Sequence, residues 1–183
     1  MVLMGALGFG VFSTAMADVA FVFLVTVSLA AGATAFGLLT TCWAGGMIVG
    51  AAVAERPTNA CPVAAAFLTA SVMGATMLAI GVAPIGFLLV GAAFIVGGGA
   101  NSVHNVAVRT MLQADTAPAM RGKVAAIYGA VTRTAAIVGY VVGGLFIPDA
   151  ARSAYLVGGV LGVMAGLGGW WLYRMADRRA GVA

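Results

Sequence analysis

The chain has 183 residues, of which 63% are hydrophobic and only 8% are charged. A soluble domain carries roughly 25% charged residues, so this composition excludes an ordinary soluble globular protein. The net charge is +4, but the basic residues stand near predicted helix ends rather than in one patch, so we expect no nucleic-acid partner. The apolar surface is predicted to face a lipid bilayer.

Long stretches without Asp, Glu, Lys or Arg predict membrane-spanning helices. The uncharged ranges are 19–54, 57–108 and 153–173, and one span needs roughly 20 apolar residues. Breaks at glycine, at charge clusters and at Pro84 and Pro148 divide the chain into an all-α bundle of six transmembrane helices. The predicted helices cover residues 3–28, 35–54, 62–82, 86–112, 123–146 and 153–174, with a charged cytoplasmic tail at 175–183.

The distribution of basic residues predicts how the chain is oriented. Arg56 lies between the second and third helices, further bases lie between the fourth and fifth, and others follow the sixth, whereas the opposite connections hold only Arg152. Because cytoplasmic loops are enriched in Lys and Arg, we expect a multi-pass protein of the cell membrane with both termini in the cytoplasm. The N-terminal segment lacks the basic start of a signal peptide, so it is interpreted as part of the first helix.

Two ionisable side chains fall inside predicted spans. Asp18 stands well inside the first predicted helix, near mid-depth or somewhat outward. Arg133 stands inside the fifth predicted helix, which runs in the same direction as the first. At a helical rise of about 1.5 Å per residue, their depths are expected to differ by roughly 8 Å. Charged groups at membrane depth are costly. They predict a substrate or proton site in a water-filled cavity, or else a structural ion pair or an Asp18 that lies nearer the membrane interface.

The fourth predicted helix carries a polar stripe formed by Asn101, His104 and Asn105. Their spacing of i, i+3 and i+4 puts the three side chains on one face, beside the glycines at 97–99. The stripe predicts either substrate contact, with proton handling by His104, or hydrogen bonding between helices. Ser102 and His104 do not face each other on a helix, and no hydrolase or phosphate-loop motif occurs. We therefore expect no enzyme, no catalytic residue, and no metal or other cofactor.

Glycine spacing predicts close packing of the helices. Gly46 and Gly50 stand four residues apart on the second helix, and glycine recurs every fourth position over residues 158–166 of the sixth. Such spacing lets helix backbones approach in lipid, either as ordinary packing or as a sliding interface. Cys42 and Cys61 have no metal-site spacing, so they are interpreted as small apolar side chains of the bundle.

Three segments carry distinctive patterns of glycine or of charged and amide side chains. Residues 50–56 read GAAVAER and residues 139–144 read GYVVGG. Polar residues recur along the fourth helix and the following loop, namely Asn101, Asn105, Arg109, Gln113, Pro118, Arg121, Gly122 and Lys123. Together these segments resemble the C-terminal half of a major facilitator superfamily (MFS) transporter, in its drug- and siderophore-efflux branch. Glu55 replaces the aspartate of the superfamily's loop motif, and the basic residues of that motif are missing after Pro57.

The resemblance implies a fold, a function and a partner. In such transporters two six-helix halves rock about a central site, so the chain is expected to be half of a secondary transporter for proton-driven efflux of a small organic molecule. It would work with an N-terminal six-helix half or with a second copy. The alternative is a truncated, non-transporting remnant or a structural membrane subunit. The resemblance assigns gating or anchoring of the cytoplasmic loops to Gly50, Glu55, Arg56, Arg109, Arg121, Gly122 and Lys123.

Overall fold

The computed structural model describes residues 2–83, 86–114, 116–145 and 150–180. These residues form helices joined by short connections, with no strand among them. The α-helices are α1 Val2–Phe23, α2 Ala33–Val53, α3 Glu55–Ala60, α4 Pro62–Val82, α5 Phe87–Ala114, α6 Arg121–Gly144 and α7 Ala151–Ala180. A π-helical segment, Leu24–Ser28, continues α1, and a 3-10 turn, Pro118–Met120, precedes α6.

Six of these α-helices, all except the short α3, are long and apolar enough to cross a membrane. The prediction of an all-α chain with six membrane helices is therefore confirmed, and it is consistent with a multi-pass membrane protein. The predicted helix ends at Pro84 and Pro148, with the neighbouring Asp149, lie outside the described residues, and so does Asp115 in the predicted polar loop.

The second predicted helix differs at its end from the observed one. We expected it to stop at Glu55 and Arg56 and to give way to a loop. Instead α2 ends at Val53, and the chain turns directly into α3, so the connection to α4 is itself helical. The Thr58 hydroxyl donates a hydrogen bond to the carbonyl oxygen of Ala54 at 2.7 Å, which ties the first turn of α3 to the turn before it.

The exterior of the bundle is apolar, as a lipid-facing surface must be. Leu88 is 86% exposed, and Ile48 and Val82 are each 72% exposed. The side chains of Met16 and Leu39, by contrast, are fully buried between helices. Since lipid tails are as apolar as leucine, the helices associate through close packing and hydrogen bonds rather than through exclusion of water.

Glycine allows the helix backbones to meet. A Cβ atom on Gly46 would collide with the backbone of Ile95, and one on Gly50 would collide with the backbone of Gly99. From the first contact to the second, residue numbers rise by four on both helices, so α2 and α5 run parallel. Gly50, to which the resemblance assigned a gating role, therefore lies inside α2, buried against α5.

The other packed pairs have equally clear directions. Cβ atoms on Gly139 and Gly143 of α6 would meet the backbone of α1, with Gly143 against Met16, so these helices are parallel. Gly74 of α4 lies against Gly162 of α7, and Gly81 lies against Leu156. Residue numbers rise on α4 as they fall on α7, so these two helices are antiparallel. The six spans therefore alternate in direction along the sequence.

The helix contacts form a symmetric pattern. The extensive ones are α1 with α6, α1 with α7, α4 with α7, α4 with α5 and α2 with α5. Exchanging α1 with α5, α2 with α6 and α4 with α7 leaves this set of helix contacts unchanged. The exchange replaces the first three spans by the last three, in order. Because successive spans alternate in direction, each span is exchanged with one that runs the opposite way. The contact pattern is therefore the one expected for two inverted three-helix repeats.

The alternating directions gather most basic residues at one end of the bundle, which we call the basic end. At the opposite end, Nη2 of Arg152 donates to the carbonyl oxygens of Gly81 at 3.2 Å and Ala83 at 2.7 Å. The last carbonyls of a helix have no partner within it and favour a positive charge. Arg152 therefore caps the C-terminus of α4. The basic end carries Arg56, Arg109, Arg121, Lys123 and Arg174.

Candidate functional site: two adjoining cavities

Two adjoining cavities lie inside the bundle. The larger has a volume of about 470 Å³ and is lined by α1, α2, α4, α5 and α7. The smaller, of about 90 Å³, lies nearer the basic end and is lined by α1, α4, α5, α6 and α7. Both have Thr14, Met73, Met77 and Asn101 in their walls. The larger volume falls in the range of roughly 300–1,000 Å³ that is typical of small-molecule sites.

Asp18 projects into the larger cavity from α1. Thr14, Ala17, Asp18 and Phe21 all line it, because positions i, i+3, i+4 and i+7 share one face of a helix. The Asp18 side chain is exposed there, and it is the one Asp, Glu, Lys or Arg in the described wall. It forms no ion pair or hydrogen bond with any described residue. The larger cavity therefore holds a carboxyl group without a cation beside it.

A cluster of aromatic rings forms much of the same wall. The ring of Phe21 lies 4.5 Å from that of Phe36 and 4.9 Å from that of Phe94, measured between centroids. The Phe94 ring in turn lies 5.9 Å from Trp43, edge to face. The sequence interpretation missed these rings. The available signals were the i, i+3 spacing of Asp18 and Phe21 and the position of Trp43 inside a span.

The predicted polar stripe lines the smaller cavity with all three of its side chains. Nδ1 of His104 lies 2.9 Å from the carbonyl oxygen of Ala66 on α4. A carbonyl can only accept, so Nδ1 carries the proton and Nε2 of the neutral ring remains an acceptor. The Asn105 amide donates to the Asn101 backbone oxygen at 2.9 Å. The stripe therefore joins α5 to α4 and also supplies polar groups to a cavity.

Arg133 lies away from both cavities. Val131 and Ala135 face Gly8 of α1, so helical spacing turns Arg133 to the other side of α6, where it is exposed.

The depth of Arg133 also differs from that of Asp18. Because Gly143 packs against Met16, Asp18 stands level with the end of α6, about 18 Å along the axis from Arg133. The expected difference of roughly 8 Å is too small, and the structure does not bring these two side chains together.

The residues that the resemblance assigned to the cytoplasmic loops, apart from Gly50, lie near the basic end and outside both cavity walls. Nε of Arg121 donates to the carbonyl oxygen of Thr116 at 3.2 Å, so Arg121 ties the start of α6 to the loop before it. The remaining members are exposed, namely Glu55, Arg56, Arg109, Gly122 and Lys123.

Among the residues that the structure describes, no three His, Cys, Asp or Glu side chains come together as a metal site would require. Comparison with known proteins finds no matching family, no matching curated protein and no matching solved structure. What this chain can do is therefore read from its cavities, their side chains and the arrangement of its helices.

Proposed function

We propose that this chain is one half of a secondary transporter that exports a small organic molecule by alternating access. The observation that carries the proposal is the larger cavity, which holds Asp18 and has walls from both inverted repeats. Transporters of this kind place the substrate at the interface between such repeats, and an ionisable group inside a membrane protein is by default a candidate for function. The resemblance to the C-terminal half of an MFS transporter agrees with both points.

Two helices have little cover in this bundle, which supports the idea of a half. Only 6% of the span in α6 and 17% of that in α2 is buried, against 39% in α1. Arg133 is exposed about midway along α6, where a charge facing lipid costs at least about 2.5 kcal/mol. A second six-helix half, or a second copy, placed against α2 and α6 would cover Arg133 and close the cavity.

Asp18 is the group proposed to bind and release the coupling proton. The Asp18 carboxyl group can take up and release a proton within the larger cavity. The adjoining smaller cavity extends toward the basic end, with His104 and Asn105 in its wall. His104 keeps one acceptor nitrogen while its other nitrogen is bonded to Ala66. We assign the basic end to the cytoplasm because cytoplasmic loops carry the excess of Lys and Arg.

Transport is tested in sealed membrane vesicles prepared from cells that produce the full chain, so that a second copy or a separate second half is present. A panel of small fluorescent dyes of positive, neutral and negative charge is followed with and without an imposed pH gradient. We expect the gradient to accelerate movement of at least one dye and Asp18→Asn to abolish that acceleration. Asp177→Asn, which changes an acid beyond the last span, is the matched control. An Asp18→Asn protein with unchanged dependence on the gradient would exclude Asp18 from coupling.

The need for a second half is tested separately by crosslinking in membranes. A single cysteine is introduced as Arg133→Cys in a chain without Cys42 and Cys61, and a short bifunctional maleimide is added. A crosslinked dimer supports a second copy, and a crosslink to a different membrane protein supports a separate half. A chain that stays monomeric under all conditions would favour the alternative of a non-transporting subunit, because one half leaves the transport path incomplete.

A further inference from the structure

The larger cavity combines aromatic faces with one anionic group, and this combination points to a ligand class. Phe36, Phe21, Phe94 and Trp43 form a continuous series of rings contributed by α2, α1 and α5. The buried Tyr155 of α7 lines the same cavity. The faces of aromatic rings carry partial negative charge, so they attract a cation that lies over them.

Asp18 stands next to this series of rings. It precedes Phe21 by three residues on α1, so the carboxyl group and the ring occupy the same helix face. No Lys or Arg lies in the described wall, and Asp18 forms no ion pair with any described residue. When ionised, Asp18 therefore gives the cavity a net negative charge that no described protein group balances.

We propose that the larger cavity binds an organic cation that carries an apolar body, such as a protonated or quaternary amine. This inference rests on the proposed function and names the substrate class of the same site. The cation would pair with Asp18 while its apolar groups contact Phe21, Phe94 and Trp43. An anion would be repelled by Asp18 and by the ring faces, and a neutral ligand that covered Asp18 would leave its carboxylate without a counter-charge.

The cavity also has the size and composition for such a ligand. Its volume of about 470 Å³ accommodates a molecule much larger than a metal ion or a water cluster. Methionines 73 and 77 complete the wall on α4, and methionine side chains adapt to ligands of different shape. The apolar and aromatic side chains of the wall outnumber its uncharged polar groups, which are Thr14, Thr40, Thr76, Asn101 and Tyr155. The three threonine hydroxyls already donate to carbonyl oxygens of their own helices, so the wall is poorly suited to replace the hydration shell of a small inorganic cation. The wall therefore favours a large, weakly hydrated organic cation.

Equilibrium binding to the purified full chain tests this inference without requiring transport. The probes are tetraphenylphosphonium, an apolar cation, and tetraphenylborate, an anion of the same shape. We expect saturable binding of the cation alone. Asp18→Asn should weaken that binding by roughly tenfold or more, while Asp18→Glu, which keeps the charge, should retain part of it and Asp177→Asn should leave it unchanged. Equal binding of the two probes, or equal affinity in Asp18→Asn and wild type, would overturn the inference.

A second pair of variants tests the aromatic wall. Trp43→Leu should weaken cation binding by roughly 2- to 30-fold, since one cation–π contact contributes about 0.5–2 kcal/mol, while Trp43→Phe should lose less. Trp171→Leu, on an exposed part of α7, is the matched control. Gel filtration and helical content must match wild type in each variant, and folded Trp43→Leu protein with unchanged affinity would overturn the aromatic part of the site.

The two proposals fail in different ways. Specific binding of tetraphenylphosphonium without any gradient-driven transport would overturn the transporter and leave the cation site standing. Gradient-driven movement of neutral or anionic dyes, by a chain that does not bind the cation, would leave the transporter standing and overturn the cation site.

Discussion

Nδ1 of His104 on α5 lies 2.9 Å from the carbonyl oxygen of Ala66 on α4. The hydrogen bond sits beside a buried cluster in which Ala65 and Ala66 pack against Ala107 and Val108. These small side chains let the two helices approach closely enough for the imidazole to reach across. A side chain predicted as a proton or substrate site is thus also a structural link between repeats, because α4 ends the first and α5 begins the second.

Replacing His104 tests its role as a structural link between α4 and α5. His104→Leu is expected to lower the free energy of unfolding by about 1 kcal/mol, because hydrogen bonds between membrane helices contribute about 0.6–1.7 kcal/mol. The measurement is unfolding in mixed micelles as the fraction of denaturing detergent rises. Asn105→Leu is the matched control, since the Asn105 amide bonds to Asn101 on its own helix. A larger loss in the control would mean that His104 does not join the helices.

The adjacent glycines of α2 provide a test of helix packing. A Cβ atom on Gly46 would collide with the α5 backbone at Ile95, whereas nothing lies within 4 Å of one on Gly45. We therefore expect Gly46→Ala to destabilise the bundle by about 1–3 kcal/mol. Gly45→Ala should be neutral or stabilising by up to about 1 kcal/mol, because alanine favours helix over glycine. Similar effects of the two substitutions on unfolding would contradict the observed register of α2 on α5.

The connection between α1 and α2 contains a conformation that alanine rarely adopts. Ala30 has a φ of 47°, in the left-handed region that costs an L-residue roughly 1–2 kcal/mol. Ala30→Gly should therefore stabilise the fold by about 1 kcal/mol. Ala31→Gly serves as the control, because Ala31 lacks a positive φ and glycine only increases the freedom of the unfolded chain there. A stabilising Ala31→Gly, or a destabilising Ala30→Gly, would contradict the left-handed conformation of Ala30.

The two cysteines report the orientation in the membrane. Cys61 is exposed where α3 meets α4 at the basic end, whereas Cys42 is half-buried within α2. A membrane-impermeant maleimide should label Cys61 in inside-out vesicles but not in right-side-out ones. Labelling of Cys42 should be slow from both sides, because Cys42 is half-buried inside a span that the impermeant reagent does not enter. The single-cysteine variants Cys42→Ala and Cys61→Ala assign each signal, and labelling of Cys61 in right-side-out vesicles would reverse the proposed orientation.

The candidate site was accessible to sequence reasoning only in part. Asp18, Asn101, His104 and Asn105 stand out because polar groups are rare and costly in an apolar span, and all four line the two cavities. Arg133 stands out for the same reason, yet it lies on the uncovered side of α6. Polarity therefore identifies which side chains need an explanation, but it does not tell which of them share a cavity.

The aromatic rings show the opposite limitation. The sequence marks Phe21 only by its spacing from Asp18 and Trp43 only by its position inside a span, and it does not mark Phe36 or Phe94. An aromatic residue in a membrane helix can face lipid, another helix or a cavity. The glycines at 97 and 98 both pack against Trp43. Their role became clear only when α2 and α5 were seen side by side.

By itself, the sequence determined that the chain is helical, that six segments can cross a membrane and that most basic residues gather at one end. These properties follow from local hydropathy and from the alternation of successive spans. Only the tertiary structure decided which helix faces meet, how the two three-helix repeats are arranged and that Asp18 shares a cavity with Trp43. The reason is physical: lipid tails are as apolar as leucine, so hydropathy does not mark the inner face of a membrane helix. Which face of a helix packs inward depends on where Gly46, Gly74 and Gly143 allow two backbones to touch.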